Sequence, residues 1–276
     1  MHREYASRLL VRTWNVFHGN TVPPGRTRDV ERMVRLVTED SPAIVLLQEL
    51  PVFVLDRLER WSGMRAFGAV AARPRLPAAL GGRITDLHSG FFRSALEGQA
   101  NAILVDARLA PHDHRTLVLN HRRFRKREAE RLELDVATQA VWAKERRVCQ
   151  AVRVTLGDAP AVVANLHATS HRVDKRLADA ELLRAASFAD GLAAPRSAVV
   201  VGGDFNVTVV SSPTLRALSK DEWGFSPAGP GLDHVLVRGV PLVGGEQVWP
   251  PERRTHGGVV MSDHAPVEVE LDVVAS

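Results

Sequence analysis

Residues 198–207 read AVVVGGDFNV, passing from valines into two glycines, a carboxylate, an aromatic ring and an amide. Val199, Val200 and Val201 suit a strand covered on both faces. Asp204 and Asn206 are not core residues, and lying two apart they point to one side of an extended chain. Gly202 and Gly203 let another backbone, or a ligand, come close. Alone, the run is more simply a strand closing in a polar turn, but the pattern recurs. LLVRTWN ends in Asn15, AIVLLQE in Gln48 and Glu49, and AVVANLH in His167. Two runs reverse the order: GLDHVLV carries Asp233, and MSDHAPVEVEL carries Asp263 and His264, ahead of the apolar residues. If the second set runs antiparallel to the first, all these groups gather at one end of the sheets. Rigid strand ends hold reacting groups better than loops do, so the pattern is that of an active site.

The residue types narrow the chemistry. Glu49, Asn15 and Asp263 are hard oxygen ligands suited to Mg²⁺ or Mn²⁺. There is no HExxH and no thiolate set, which argues against zinc. A P-loop, a GxGxxG opening a helix and a GxSxG elbow are also missing. Two histidines with carboxylates nearby, beside a metal site, fit attack of water on phosphorus. Neighbours on a strand point opposite ways, so Asp263 is a poor partner for His264 and Asp233 a better one.

The elements that must position these groups alternate short apolar strands with helices. Strands are expected at 9–15, 43–49, 100–106, 234–239 and 266–274, with a hairpin of 149–156 and 161–167 across Gly157-Asp158. The last strand alternates Val267, Val269, Leu271 and Val273 with acidic residues, so one of its faces is wet. Helices are expected at 27–40, stopped by Ser41-Pro42, and at 51–61. Another is expected at 174–190, with Asp174 as N-cap and Gly191 as C-cap. Residues 68–98 read as a long loop. Residues 121–147 read as one helix with apolar positions 129, 132, 136, 140 and 143, its basic start a solvated face or a surface for nucleic acid.

The 276 residues are 45% hydrophobic, enough for a sizeable core, and no linker or repeat divides them, so one domain over 1–276 is expected. No run approaches a membrane span, and the N-terminus lacks the apolar stretch of a signal peptide, so a cytoplasmic monomer is expected. The lone Cys149 excludes an internal disulfide and reads as a small buried residue. A net charge of +4 permits polyanion binding without requiring it.

At these residues the chain resembles the endonuclease/exonuclease/phosphatase superfamily, the fold of deoxyribonuclease I. The matching pieces are WN (14–15), QE (48–49), NAIL (101–104), NLH (165–167), GDFN (203–206), LDHVLV (232–237) and SDHAPV (262–267), in the family's order. The resemblance implies a four-layer α/β/β/α sandwich, two mixed β-sheets packed face to face with helices outside. It implies Glu49 as principal metal ligand, with Asn15 and Asp263 completing the site. Asp204 would orient or deprotonate the attacking water, and Asn206 and His167 would hold phosphoryl oxygens. His264, positioned by Asp233, would act as base or phosphate ligand, and Arg147 is a further candidate for reaching a phosphate. The chain departs from the apurinic-site endonucleases, which carry a tyrosine and an asparagine where NLHATSH stands here. The secreted deoxyribonucleases rely on disulfides that one cysteine cannot form. Sphingomyelinase-like members often have membrane elements or secretion signals, and neither is evident here. The expected function is a Mg²⁺- or Mn²⁺-dependent phosphodiesterase acting on DNA or RNA. The alternatives are a phospholipid headgroup or sugar or inositol phosphate as substrate, or a silent binding module, which should have lost a site residue.

Overall fold

The computed structural model describes residues 5–25, 28–73, 98–220 and 222–275, with only the backbone of residues 5–7 and 274–275. Two sheets form its centre. In the first, β1 (Tyr5–Asn15) lies between parallel β3 (Ile44–Leu50) and antiparallel β14 (Val267–Ala275). Beyond β3 come β5 (Gln99–Val105) and β4 (Arg65–Ala72), and beyond β14 the short β11 (Gln247–Val248). The second sheet runs β10 (Asp233–Arg238), β9 (Ala198–Asp204), β8 (Ala159–His167), β7 (Val148–Leu156) and β6 (His112–Val118). Only its β8–β9 pair is parallel. A small third sheet joins β2 (Thr21–Val22), β13 (Val259–Met261) and β12 (Thr255–His256).

Period-2 burial decides the layers. Val11, Ile44, Leu46 and Ile103 of the first sheet face Val152, Val163, Val200 and Val235 of the second in one dry cluster. The alternate residues Trp14, Val45, Leu47 and Leu104 pack beneath the helix Val30–Thr38 through its Val30, Met33, Val34 and Val37. On the far side, Val162, Ala164, Val199 and Val201 pack against Ala178, Leu182, Ala185 and Ala189 of the helix Arg176–Leu192. Each buried valine or leucine contributes roughly 1.5–3 kcal/mol, so strands apolar on both faces commit the chain to helix, sheet, sheet, helix. This is the expected four-layer sandwich. No helix among the described residues is long and apolar enough to cross a membrane.

Several expectations for single elements are corrected. The helix expected over 27–40 spans Val30–Thr38, and Ser41, with φ 56°, follows its end. Residues 51–61 form a 3₁₀ turn, Val52–Arg57, and a short helix, Leu58–Ser62. Asp174 accepts from the Arg176 amide at 3.0 Å but lies one residue before the N-cap position, and Gly191 sits inside the last turn. Residues 121–147 are two helices, Arg122–Arg131 and Val136–Lys144. Glu133 takes φ 51° between them, and Asp135 caps the second through the Thr138 amide at 2.7 Å. Gly68 to Ala72 belong to β4, whereas 74–97 of the expected loop lie outside the described residues.

Candidate active site

The same parity that buries the valines delivers the polar groups. On β1, Val11 faces the second sheet and Trp14 the outer helix, so Asn15 at the strand end faces inward. On β8, Ala161 and Val163 face inward and lead to Asn165 and His167; on β9, Ala198 and Val200 lead to Gly202 and Asp204. Antiparallel β10 brings Asp233 back beside Asp204, and Asp204 is already level with His167. Gly202 allows this convergence, because a Cβ there would stand 2.6 Å from Leu46 Cδ1 of the opposite sheet. Directly beneath the site, Gln48 Nε2 donates to Asn165 Oδ1 at 2.8 Å and Thr13 Oγ1 at 3.0 Å. Asn165 Nδ2 donates to the Leu47 and Ala102 carbonyls, so buried amides tie the sheets together at this end.

Glu49 breaks the parity. Register shifts between Leu47 and Leu50, and Glu49 adopts φ 55°, which turns its carboxylate toward His167 Nε2 and His18 Nε2, each 3.7 Å away. His18, Asn206 and Ser262 also take left-handed backbone conformations, with φ 53°, 53° and 64°. Each costs roughly 1–3 kcal/mol, and their gathering around one site marks geometry held for function.

Asn15 Nδ2 donates to Asp204 Oδ2 at 3.0 Å, joining the two sheets, while the Asn206 amide N–H donates to Asp204 Oδ1 at 3.0 Å. The Asn206 side chain donates to the Ala168 carbonyl at 3.1 Å. Asp233 Oδ2 lies 2.6 Å from His264 Nδ1, the pairing that strand geometry favoured, and His264 Nε2 then faces Asp204 Oδ2 at 4.0 Å. Ser262 anchors the turn carrying His264: its hydroxyl donates to the Asn15 carbonyl at 2.6 Å and accepts from the His264 amide at 3.1 Å. Trp14 Nε1 donates to the His264 carbonyl at 2.9 Å.

His167 is held differently. Gln99 Nε2 lies 2.9 Å from its Nδ1, so the amide donates there and the ring proton resides on Nε2, facing Glu49 Oε1 at 3.7 Å and Asp204 Oδ2 at 3.6 Å. Arg147 Nη1 is 3.2 and 3.1 Å from the two ring nitrogens. A nitrogen so nearly equidistant would overlap Cε1 if it lay in the ring plane, so it sits over the ring face. Arg147 also pairs with Glu145 at 2.7 Å, and its backbone amide donates to Asn120 Oδ1 at 2.8 Å.

These surroundings give the two imidazoles opposite character. Burial, and then the neighbouring Arg147 and His264, push His167 well below the usual imidazole range. Burial disfavours charge on His264 too, but the Asp233 hydrogen bond and nearby carboxylates outweigh it and raise the group to about 10. Burial, with Asp233 and Glu49 adding, raises Asp204 to about 7 against the opposing His264 and Asn15. At neutral pH the site therefore presents a neutral N–H donor, a cationic N–H donor and a carboxylate able to exchange a proton.

The donor set fits a hard divalent cation. Glu49, Asp204 and Asp233 bring three carboxylates together, and Asp233 Oδ1 is buried with no hydrogen-bond partner among the described residues. Asp204, Asp233 and His264 each bring an atom within 4.8 Å of the others, but a His264 ring protonated on both nitrogens offers no lone pair, so the donors for a cation are oxygens. Asp263 is exposed and lies outside that cluster, its nearest hydrogen-bond neighbour being Ser262 Oγ at 3.5 Å. Arg147 reaches His167 rather than an open surface. Gln99 and Ser262 were not singled out from the sequence, because their partners are distant in the chain. His18 carried no specific signal beyond its residue type.

The chain belongs to the endonuclease/exonuclease/phosphatase family, whose model matches residues 13–264. Solved structures share its fold. An endonuclease/exonuclease/phosphatase from Beutenbergia cavernae DSM 12333 is 18% identical with a TM-score of 0.62, covering 96% of this chain and 72% of that one. A conserved protein of unknown function from Enterococcus faecalis V583 is 15% identical at a TM-score of 0.64, covering 96% and 100%. TDP2 from Caenorhabditis elegans is 16% identical at 0.61, covering 97% and 75%. No curated protein matches the chain.

Proposed function

We propose that this protein hydrolyses phosphodiester bonds by attack of water, with Mg²⁺ or Mn²⁺ bound, and that DNA or RNA is its substrate. One domain over the whole chain would do this, since the site draws on residues from 15 to 264. The observation that carries the reading is the convergence on Asp204 Oδ2 of two histidines held by separate partners, His167 Nε2 at 3.6 Å with Gln99 behind it and His264 Nε2 at 4.0 Å with Asp233 behind it.

Asp204 takes the proton from the attacking water as its oxygen bonds to phosphorus, the ester P–O bond opposite breaks, and the departing oxygen is protonated from solvent. His264, held by Asp233, donates from Nε2 to a phosphoryl oxygen, and His167, held by Gln99 and Arg147, donates from its own Nε2 to another. Both donors favour the transition state, where charge on those oxygens grows. Asn206 braces Asp204 through its backbone amide. Glu49 with Asn15 Oδ1, and Asp263 through water, would hold the cation, which when bound supplies charge neutralisation at the phosphate.

The test is hydrolysis of bis(p-nitrophenyl) phosphate and of labelled single- and double-stranded DNA and RNA, with Mg²⁺ or with EDTA, beside Asp204→Ala. Cleavage needing both metal and Asp204 supports the reading; activity surviving Asp204→Ala refutes it. A phospholipid headgroup is the second reading, favoured by Val136, Val173 and Val210, exposed at 82%, 88% and 91% on connections at the site's end of the sheets. Activity on bis(p-nitrophenyl) phosphate and lipid without activity on nucleic acid would select it.

A further inference from the structure

The connection between β6 and β7, residues 119–147, leaves and re-enters the second sheet beside the site. Val118 pairs with Val148, Cys149 with Leu166, and His167 with Asp204. Its two helices are fixed to that end. Phe124 packs edge-on to Trp142 at 6.0 Å, and Trp142 Nε1 donates to the buried Glu181 at 2.6 Å. Asn120 donates to the Trp142 carbonyl at 3.1 Å and accepts from the Arg147 amide, so the helices and the His167 platform are one hydrogen-bonded unit.

Between the helices lies a cleft of about 370 Å³, bordered by Arg122, Arg125 and Lys126 on one side and on the other by Val136, Ala140 and Ala143 with the polar Gln139 among them. Among the described residues, no acidic side chain lines it. Glu128 is engaged by Arg127 and Arg131, whereas Arg122 and Lys126 are exposed and pair with no carboxylate among the described residues. The helix of the opposite wall is anomalous for a solvated one: Val136–Lys144 is mostly apolar yet buries only Trp142, leaving Val136 at the cleft 82% exposed. A cationic wall facing an apolar one suits a ligand that repeats an anionic group next to a larger nonpolar surface.

Resting on the phosphodiesterase reading above, we infer that this cleft is a second binding site for the substrate strand. A polynucleotide whose scissile phosphate lies at Asp204 and His167 would place a flanking phosphate on Arg122, Arg125 and Lys126, with its sugar and base along Val136, Ala140 and Ala143. A small phosphoester fills the reaction centre without reaching the cleft, so the site discriminates polymers from monomeric esters. Arg125 also donates to the Asn120 carbonyl at 2.8 Å, which ties the cationic wall to the platform behind His167.

The experiment measures binding apart from cleavage. A fluorescent single-stranded 20-mer is titrated in EDTA against the wild type, Arg122→Glu/Lys126→Glu and a control, Arg108→Glu/Arg196→Glu, charge-matched at the opposite end of the sheets. The cleft variant should weaken binding roughly ten- to a hundredfold at 50 mM salt, and flatten the log–log salt dependence by about 0.7, the value for one phosphate that is no longer neutralised. The control should do neither. Hydrolysis of bis(p-nitrophenyl) phosphate with Mg²⁺ should be unchanged in the cleft variant, which also shows that it folds. Equal weakening by both variants, or by neither, overturns the inference, as does weakened binding only to phosphatidylglycerol vesicles. Loss of bis(p-nitrophenyl) phosphate hydrolysis in the wild type would instead overturn the reading of the reaction centre.

Discussion

Gln99 offers the sharpest test of how the site is preorganised. Gln99→Leu keeps the bulk of the side chain and removes the amide that donates to His167 Nδ1. His167 is 3% exposed, so little water reaches the vacated lone pair. A buried acceptor left unsatisfied costs about 1–3 kcal/mol, and the ring can recover part of that by moving its proton to Nδ1 or rotating. Either response takes the Nε2 proton away from the phosphoryl position. Losing one such donor outright costs about 10²–10³ in kcat, which bounds the effect. At 1.36 kcal/mol per decade, the unsatisfied acceptor corresponds to a fall of about 5- to 150-fold. The loss should appear in kcat on bis(p-nitrophenyl) phosphate, with KM moving less than about threefold, because the interaction strengthens in the transition state. Gln99→Glu should lose at least as much, since a carboxylate draws the ring proton to Nδ1. The decisive measurement is the double-mutant cycle with His167→Ala. On that background Gln99→Leu should have no further effect; an equal loss on both backgrounds would show that Gln99 acts through the fold and refute the assignment.

Asp204→Asn should lower kcat roughly 10²–10⁴-fold while circular dichroism stays native, measured with Mg²⁺ present. Gly203→Ala should unfold the protein or cost more than about 4 kcal/mol by denaturant titration, because φ is 140° and a Cβ would stand 1.9 Å from the Leu166 carbonyl oxygen. Arg12, fully buried, bonds Asp40 and Glu268 and lies 4.9 Å from the Trp249 ring. The Arg12 hydrogen bond lowers Asp40, and the Trp249 and Arg12 hydrogen bonds lower Glu268 despite its burial. Depressed carboxyls stabilise the fold above their unfolded values near pH 4, and that contribution is lost as pH falls through the folded values. Arg12→Met should therefore cost about 3 kcal/mol at neutral pH and flatten the fall of the melting temperature from about pH 5 downward to about pH 2; a parallel acid limb would contradict this.

Strand ends were legible in the sequence because the information is local. An apolar run with period 2 predicts both the strand and the face its last polar residue takes, which is how Asn15, His167, Asp204 and Asp233 converge. Glu49 was legible by motif but not by parity, since the bulge that redirects it leaves no pattern in AIVLLQE. The edge strand β6, HDHRTLV, was missed because an edge carries polar residues that blur the alternation. The single helix expected over 121–147 failed at Glu133, where the chain reverses so that Leu134 and Trp142 can join Phe124 and Leu177 in one cluster. Gln99 and Ser262 could not be found by spacing, because their partners lie 68 and 247 residues away and meet them only through the folded sheets.

The bond between Asn15 and Asp204 spans 189 residues and crosses from one sheet to the other. Neither sheet alone contains a carboxylate cluster with both of its imidazoles, and His264 arrives only with the turn that precedes the last strand. A chain still emerging from the ribosome, or one cut between the sheets, would thus hold pieces of the reaction centre without its geometry.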